Sequence, residues 1–301
     1  MCAASSESAD FRIKIAPNQM QRFVWSTMSS SQSSGQEKGK PFTLSSESTS
    51  GMTLILRGLP SKPDHLPVMI RFQDFSWGEK RSIDEAKAEA YVSKNRIKCT
   101  ENGKVTVDSE NDVGLERVKE YQQHIKRMEE SEMRAVLDSA GRQSDMQGDP
   151  QLVEMMKAGG AHGLFPILAG KELKLGETWE DTFSIPLMGE FKLARPVTVR
   201  SKMTFVKWEV VDGKEMARID STSSWDNDDL KGESPAGMIA EITGVNSRGT
   251  GTSLFDPVAG RYIEGTIEYN IKYKINGELN GQTTSLNVTG KSLFNFKTLD
   301  K

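Results

Sequence analysis

Strict apolar/polar alternation near the end of the chain, further strand-like runs at both ends and an amphipathic stretch in the middle predict an α+β, β-rich protein. The expected architecture is a long curved antiparallel sheet, an unclosed barrel, covered on its concave face by a central helical segment. One domain is expected over residues 11–301, with the helical insertion at about 113–160, behind a flexible tether at 1–10.

The alternation is plainest in RYIEGTIEYNIKYKING, residues 261–277. Ile263, Ile267, Tyr269, Ile271, Tyr273 and Ile275 share one parity, and Glu264, Thr266, Glu268, Asn270, Lys272 and Lys274 the other. Such a strand has one dry and one wet face. At ~3.3 Å per residue it runs roughly 45 Å and must bend. Asn276-Gly277 suits a type I′ turn, which would set Ile267 opposite Leu286, Gly265 opposite Val288 and Ile263 opposite Gly290. Tyr269, Ile271 and Tyr273 would then face Thr284, Gln282 and Asn280, so the tip either projects beyond the core or lines a wet opening.

Two further hairpins can be registered in the same way. An Asp212-Gly213 turn pairs Trp208 with Ala217 and Val206 with Ile219. Around Asn102-Gly103, a three-residue loop pairs Ile97 with Val107 and Cys99 with Val105, apolar on apolar. Strands are also expected at 20–29, 42–56 and 68–77. Serines at 46, 48 and 50 interrupt the apolar parity of the second, which implies a solvated or bulged middle. The segment SSSQSSGQEKGK at 29–40 reads as a mobile loop.

In the middle, Val118, Tyr121, Ile125, Met128, Val136 and Leu137 recur at helical spacing, predicting a helix of about seven turns over 113–140. Asp149-Pro150 supplies a cap and first-turn proline for a second helix, closed by Gly159-Gly160. Residues 80–96 fit a third. The stripe of the first helix needs an apolar surface, and the inner face of the sheet is the nearest.

With 39 Lys and Arg against 42 Asp and Glu, the net charge is -3. That charge supplies no field for nucleic acid. The 3 histidines, His65, His124 and His162, are far apart in sequence, and no nucleophile elbow, H-E-x-x-H or phosphate-binding glycine loop is present. The chain is therefore expected to be no enzyme and to carry no metal or other cofactor. Asp226, Asp228 and Asp229 could offer oxygens to Ca²⁺, but EF-hand spacing is absent and a solvated loop is the expected reading.

The 2 cysteines are Cys2 and Cys99. Cys2, followed by a small polar tether, fits an acylated lipoprotein terminus and would place the protein in the bacterial cell envelope, in the periplasm or at the outer membrane; secretion is the alternative. The 14 methionines include Met128, Met155 and Met156 around the helical region, where thioethers fill core or line an adaptable groove.

In GLFPILAGKELKLGETWEDTF (163–183), Phe165-Pro166 stands with Gly176, Thr178 and Trp179, and Phe255-Asp256 and Gly260 follow. Together with Cys2, these residues resemble a group of bacterial secreted lipoproteins of unknown function, β-rich with a central helical segment. A wider fold analogy is to unclosed-barrel lipoprotein carriers such as LolA and LolB. The analogy transfers the fold alone; the alternating strands, the amphipathic helix and the tether lead to the expectation of a lipid or apolar small molecule bound between sheet and helices, with candidate contacts at Tyr121, Ile125, Met128, Met155, Met156, Tyr269 and Tyr273. The alternative is a structural or protein-interaction role with a filled core.

Overall fold

The computed structural model describes residues 7–37, 40–60, 66–150, 152–153, 165–188, 191–227, 230–234, 237–279 and 282–299. The strands are β1 (Ser8–Asp10), β2 (Met20–Glu37), β3 (Lys40–Gly58), β4 (Leu66–Ile83), β5 (Ala86–Ser93), β6 (Ile97–Glu101), β7 (Lys104–Asp108), β8 (Glu132–Leu137), β9 (Gln143–Gln147), β10 (Glu172–Lys174), β11 (Thr178–Met188), β12 (Phe191–Val211), β13 (Lys214–Asn227), β14 (Leu230–Glu233), β15 (Ile239–Asp256), β16 (Arg261–Leu279) and β17 (Gln282–Thr298). The helix α1 spans Leu115–Glu130. With 72% strand, the molecule is β-rich as expected, and its large antiparallel sheet is not closed into a barrel.

That sheet runs in the order β11-β12-β13-β15-β16-β17-β2-β3-β4-β5-β6-β7. β8 pairs with the first part of β4, and β14 bridges β12 and β15. The outer parity of β16 is wet: Glu264 pairs with Lys297 at 3.2 Å and Glu268 with Lys291 at 3.0 Å. The inner parity supplies buried clusters near the two ends of the long strands. One gathers Phe11, Trp179, Phe205, Phe255, Tyr262 and Phe296; the other gathers Leu193, Leu230, Ile242, Ile275 and Val288.

Between those clusters the register lines up one transverse row rich in serine. It runs Asp181, Ser201, Ser223, Gly249, Tyr269, Ser292, Ser29, Ser48. Short hydroxyl side chains on β-strands bond across to their neighbours: Ser29 donates to Ser292 at 3.0 Å, and Thr27 and Ser50 meet at 2.6 Å. The serine-rich middle is thus regular sheet, with its irregularity displaced to a bulge between Gly51 and Thr53. Ser29–Glu37 continues β2 rather than forming a mobile loop.

Large residues stand opposite glycines and lie over them. Gly249 faces Tyr269, Gly251 faces Ile267, Gly265 faces Phe296 and Gly290 faces Ile271. A Cβ on Gly265 would stand 2.4 Å from Cζ of Phe296, so the ring occupies the space that the missing side chain leaves.

Several sequence expectations are corrected. The β16–β17 pairing continues past Asn276-Gly277 to Leu279 opposite Gln282. Ile267 then faces Phe294, Tyr273 faces Val288 and Ile275 faces Leu286, so apolar meets apolar at these positions, while Tyr269 faces Ser292. Around Gly103 the turn is tight, with Glu101 opposite Lys104, Asn102 at φ 49 and Gly103 at φ 78. A bulge at Cys99/Thr100 then restores the apolar parity, setting Cys99 opposite Val107. Trp208 pairs with Ala217 as expected, but a bulge sets Phe205, not Val206, opposite Ile219.

The helical segment is shorter than its periodicity predicts. Gly114 opens α1 in the left-handed conformation, and Ser131 closes it with an extended backbone at ψ 139. Met133, Ala135 and Leu137 then alternate inward as β8, where pairing with β4 wins over helical spacing. Residues 80–96 are the β4–β5 hairpin, with Ile83 opposite Ala86, rather than a helix. Pro150 begins a helical turn capped by Asp149, whose carboxylate accepts from the Leu152 amide at 3.4 Å. Among the described residues no helix covers the concave face: α1 packs on β4 and β7 at one margin of the sheet.

Candidate functional site

The inner face of the sheet carries a cleft of about 610 Å³ between its two buried ends. Its lining comes from β11, β12, β13, β15, β16, β17 and β2, with the segment 165–167 as one wall. β11 and β2 stand six places apart, roughly 29 Å in a flat sheet. Phe183 and Thr27 nevertheless line the same cleft, so the sheet is bent into a trough around it.

Aromatic residues build the apolar part. Phe165 is the hub of one end, 4.4 Å from the ring centroid of Phe23, 5.7 Å from Trp25 and 5.3 Å from Phe296. Trp25 in turn stands edge-on to Phe294 at 5.2 Å. Such tilted and edge-on contacts match the charge distribution of aromatic rings. Phe183 and Trp225 border the cleft from β11 and β13. The chain holds its 165–170 wall by hydrogen bonds into the trough. Tyr262 Oη donates to the Pro166 carbonyl at 2.8 Å, Trp179 Nε1 donates to that of Ile167 at 2.8 Å, and the Gly170 amide donates to the Phe11 carbonyl at 2.9 Å. Phe165-Pro166 and Trp179, singled out in the sequence, thus act together as a wall and its anchor.

The polar part is the hydroxyl row. Ser29, Ser201, Ser223, Ser292 and Tyr269 all border the cleft. Burial pushes the Tyr269 phenol above its ordinary range, and a hydrogen bond with the Ser223 hydroxyl opposes that shift. Trp25 Nε1 and the Ser247 hydroxyl, both on bordering residues, are buried and have no partner among the described residues. At the margin Asp181 accepts from Arg142 Nη2 at 2.7 Å, and Arg142 also lies 3.6 Å from Asp138.

Of the residues expected to contact a ligand, Tyr269 lines this cleft. Tyr273 packs against the buried cluster at the far end of β16, where burial raises its phenol. Ile125 and Tyr121 pack with Val92, Ile97, Cys99 and Val107, and Met128 packs with Phe72 and Met133, so these helical side chains fill core. Cys99 is buried there, and burial raises its thiol. Cys2, Met155, Met156, His65, His162, Asp228 and Asp229 lie outside the described residues. Asp226 continues β13 opposite Asn246.

Sequence reasoning missed Trp25, Phe165, Phe183, Trp225 and Phe294 as lining. A signal existed in the parity of Phe23, Trp25, Thr27 and Ser29, which places aromatic and hydroxyl residues on one face of β2. Joining that face to Phe183 and Trp225 needs the strand order, which no single-strand pattern contains.

No family model and no curated protein matches the chain. Among solved structures, it is similar to the translocator domain of autotransporter NalP from Neisseria meningitidis, at 5% identity over 90% of this chain and 88% of that one, with a TM-score of 0.18. It is also similar to Pseudomonas aeruginosa OccK5 (OpdH), at 4% identity over 95% and 100% of the two chains, with a TM-score of 0.23. OccK7 (OpdD) of Pseudomonas aeruginosa gives 5% identity, 93% and 99% coverage, and a TM-score of 0.18. At such scores the likeness carries no argument about this chain, and none of the three is a lipoprotein carrier.

Proposed function

We propose that the protein binds a lipid or another apolar small molecule in the inner-face cleft, and that it does so in the bacterial cell envelope, held through an acyl group on Cys2. The observation that supports the reading is the cleft itself, about 610 Å³ and bordered by Trp25, Phe165, Phe183, Trp225, Tyr269 and Phe294. That size and lining match sites that take small amphipathic ligands. The reading is binding rather than catalysis. The hydroxyls that border the cleft have no histidine or lysine among the described lining residues to activate them.

Two measurements test the proposal. Organic extraction of the full-length purified protein, followed by lipid mass spectrometry, should recover a bound lipid. The extracted protein should take up the uncharged fluorophore N-phenylnaphthylamine saturably. Absence of both overturns the ligand claim. Separately, protein produced in bacteria from its natural gene should carry an acyl mass on Cys2 that Cys2→Ser abolishes; an unmodified Cys2 overturns the anchor.

A further inference from the structure

The cleft is lined by aromatic and aliphatic side chains, is crossed by hydroxyls, and carries little charge. Among the described lining residues, Asp181 is the one side chain charged at neutral pH. Its carboxylate is 9% exposed and already engaged by Arg142. No lysine or arginine among the described lining residues stands ready for an anion. A carboxylate or phosphate drawn into the cleft would lose its hydration without gaining a cationic partner and would meet the field of Asp181, a cost that buried anions tolerate poorly.

An uncharged oxygen meets the opposite situation. Ser292 accepts from Ser29 and keeps its own proton to donate. Ser223 and Tyr269, bonded to each other, border the same row with Ser201. The Trp25 indole nitrogen and the Ser247 hydroxyl, though unpartnered among the described residues, are covered and do not face the open cleft. An ester carbonyl or an alcohol meets the hydroxyl row instead, while its chain lies on Trp25, Phe165 and Phe294.

We propose that the cleft selects an uncharged amphipath, a long-chain ester or alcohol, over one that would bury an anionic group there. The inference rests on the binding reading above. It assigns Ser201, Ser223, Tyr269, Ser292 and Ser29 to the neutral polar group, and Asp181 to rejection of anions.

The test is displacement of N-phenylnaphthylamine from the full-length protein at about pH 8, well above the carboxylate range. The competitors are a monoacylglycerol, the free fatty acid and the alkane of equal chain length. The monoacylglycerol should displace the probe at a concentration at least about tenfold lower than either of the others. Asp181→Asn, which releases Arg142, should improve the fatty acid by about threefold or more. Arg142→Ala, which leaves Asp181 unneutralised, should weaken the fatty acid further. Joint Ser223→Ala and Ser292→Ala substitution should shrink the advantage of monoacylglycerol over alkane. A fatty acid that competes as well as the monoacylglycerol overturns the inference, as does a preference unmoved by all these variants. Failure of the fluorophore to bind at all overturns the binding reading instead.

Discussion

The ring of Tyr269 lies across Gly249 on the neighbouring strand: a Cβ on Gly249 would stand 2.6 Å from Cε1 of Tyr269 and 2.2 Å from Oγ of Ser223. The glycine therefore makes room for the tyrosine to reach the serine, and the three together set the floor of the hydroxyl row. Gly249→Ala should push the ring aside and destabilise the protein by about 1–3 kcal/mol, as overpacking does. Urea unfolding measures the loss. In a double-mutant cycle, Tyr269→Ala should absorb part of it, because one of the two clash partners is gone while Ser223 remains. Additive losses would show that the two side chains do not meet.

Phe165 touches Phe23, Trp25, Tyr262 and Phe296 and also borders the cleft. Phe165→Ala should cost about 3–5 kcal/mol in urea unfolding, the range for removing a packed aromatic. Phe165→Leu keeps much of the volume and should cost clearly less.

Tyr262 is fully buried, and its hydroxyl donates to the Pro166 carbonyl. Burial pushes its ionisation well above the ordinary phenol range. Tyr262→Phe leaves the carbonyl without that donor and should lower stability by about 1–3 kcal/mol. The same variant should loosen the 165–170 wall, read as faster amide exchange at Leu168 and Gly170.

Arg96 grips Asp108 with both terminal guanidinium nitrogens, at 2.5 and 3.3 Å, at the open end of the β6–β7 hairpin. Together with the Asn111 side chain and the Glu110 amide, it holds the Asp108 carboxyl far below the ordinary range. A carboxylate whose folded value is depressed contributes stability that is present above its unfolded value of about 3.9 and is lost as pH falls toward the folded value. Acid should therefore weaken the wild-type protein progressively below about pH 4, and Asp108→Asn should flatten that fall. Parallel acid profiles for the two proteins would refute the assignment.

How much of this was legible in the sequence depends on the range of the interaction. Period-two alternation identified β16, its wet face and the inward Ile267, Tyr269, Ile271, Tyr273 and Ile275, because side-chain direction on a strand is set by local backbone geometry; at the start of the strand a bulge shifts the parity, so that Tyr262 rather than Ile263 enters the core. Asp212-Gly213 marked its turn for the same reason, with both residues at positive φ, 50 and 75. The turn between β16 and β17 was misplaced because the dipeptide Asn-Gly occurs both at 276–277 and at 280–281, and only pairing across the whole strand separates the two.

The helical middle departs from expectation where two patterns compete: Val136 and Leu137 extend the helical spacing of Met128, yet Met133, Ala135 and Leu137 alternate with strand period, and β4 offers them backbone partners and a buried face. The sequence by itself determined the long alternating strand β16 with its charged outer face and the tight Asp212-Gly213 turn. Only the tertiary structure decided that Asp181 and Ser29, far apart in the chain, fall in one row, and that β11 and β2 bend round a common cleft. Strand order is a matter of long-range pairing between residues up to hundreds of positions apart, and local residue patterns do not encode which partner is chosen.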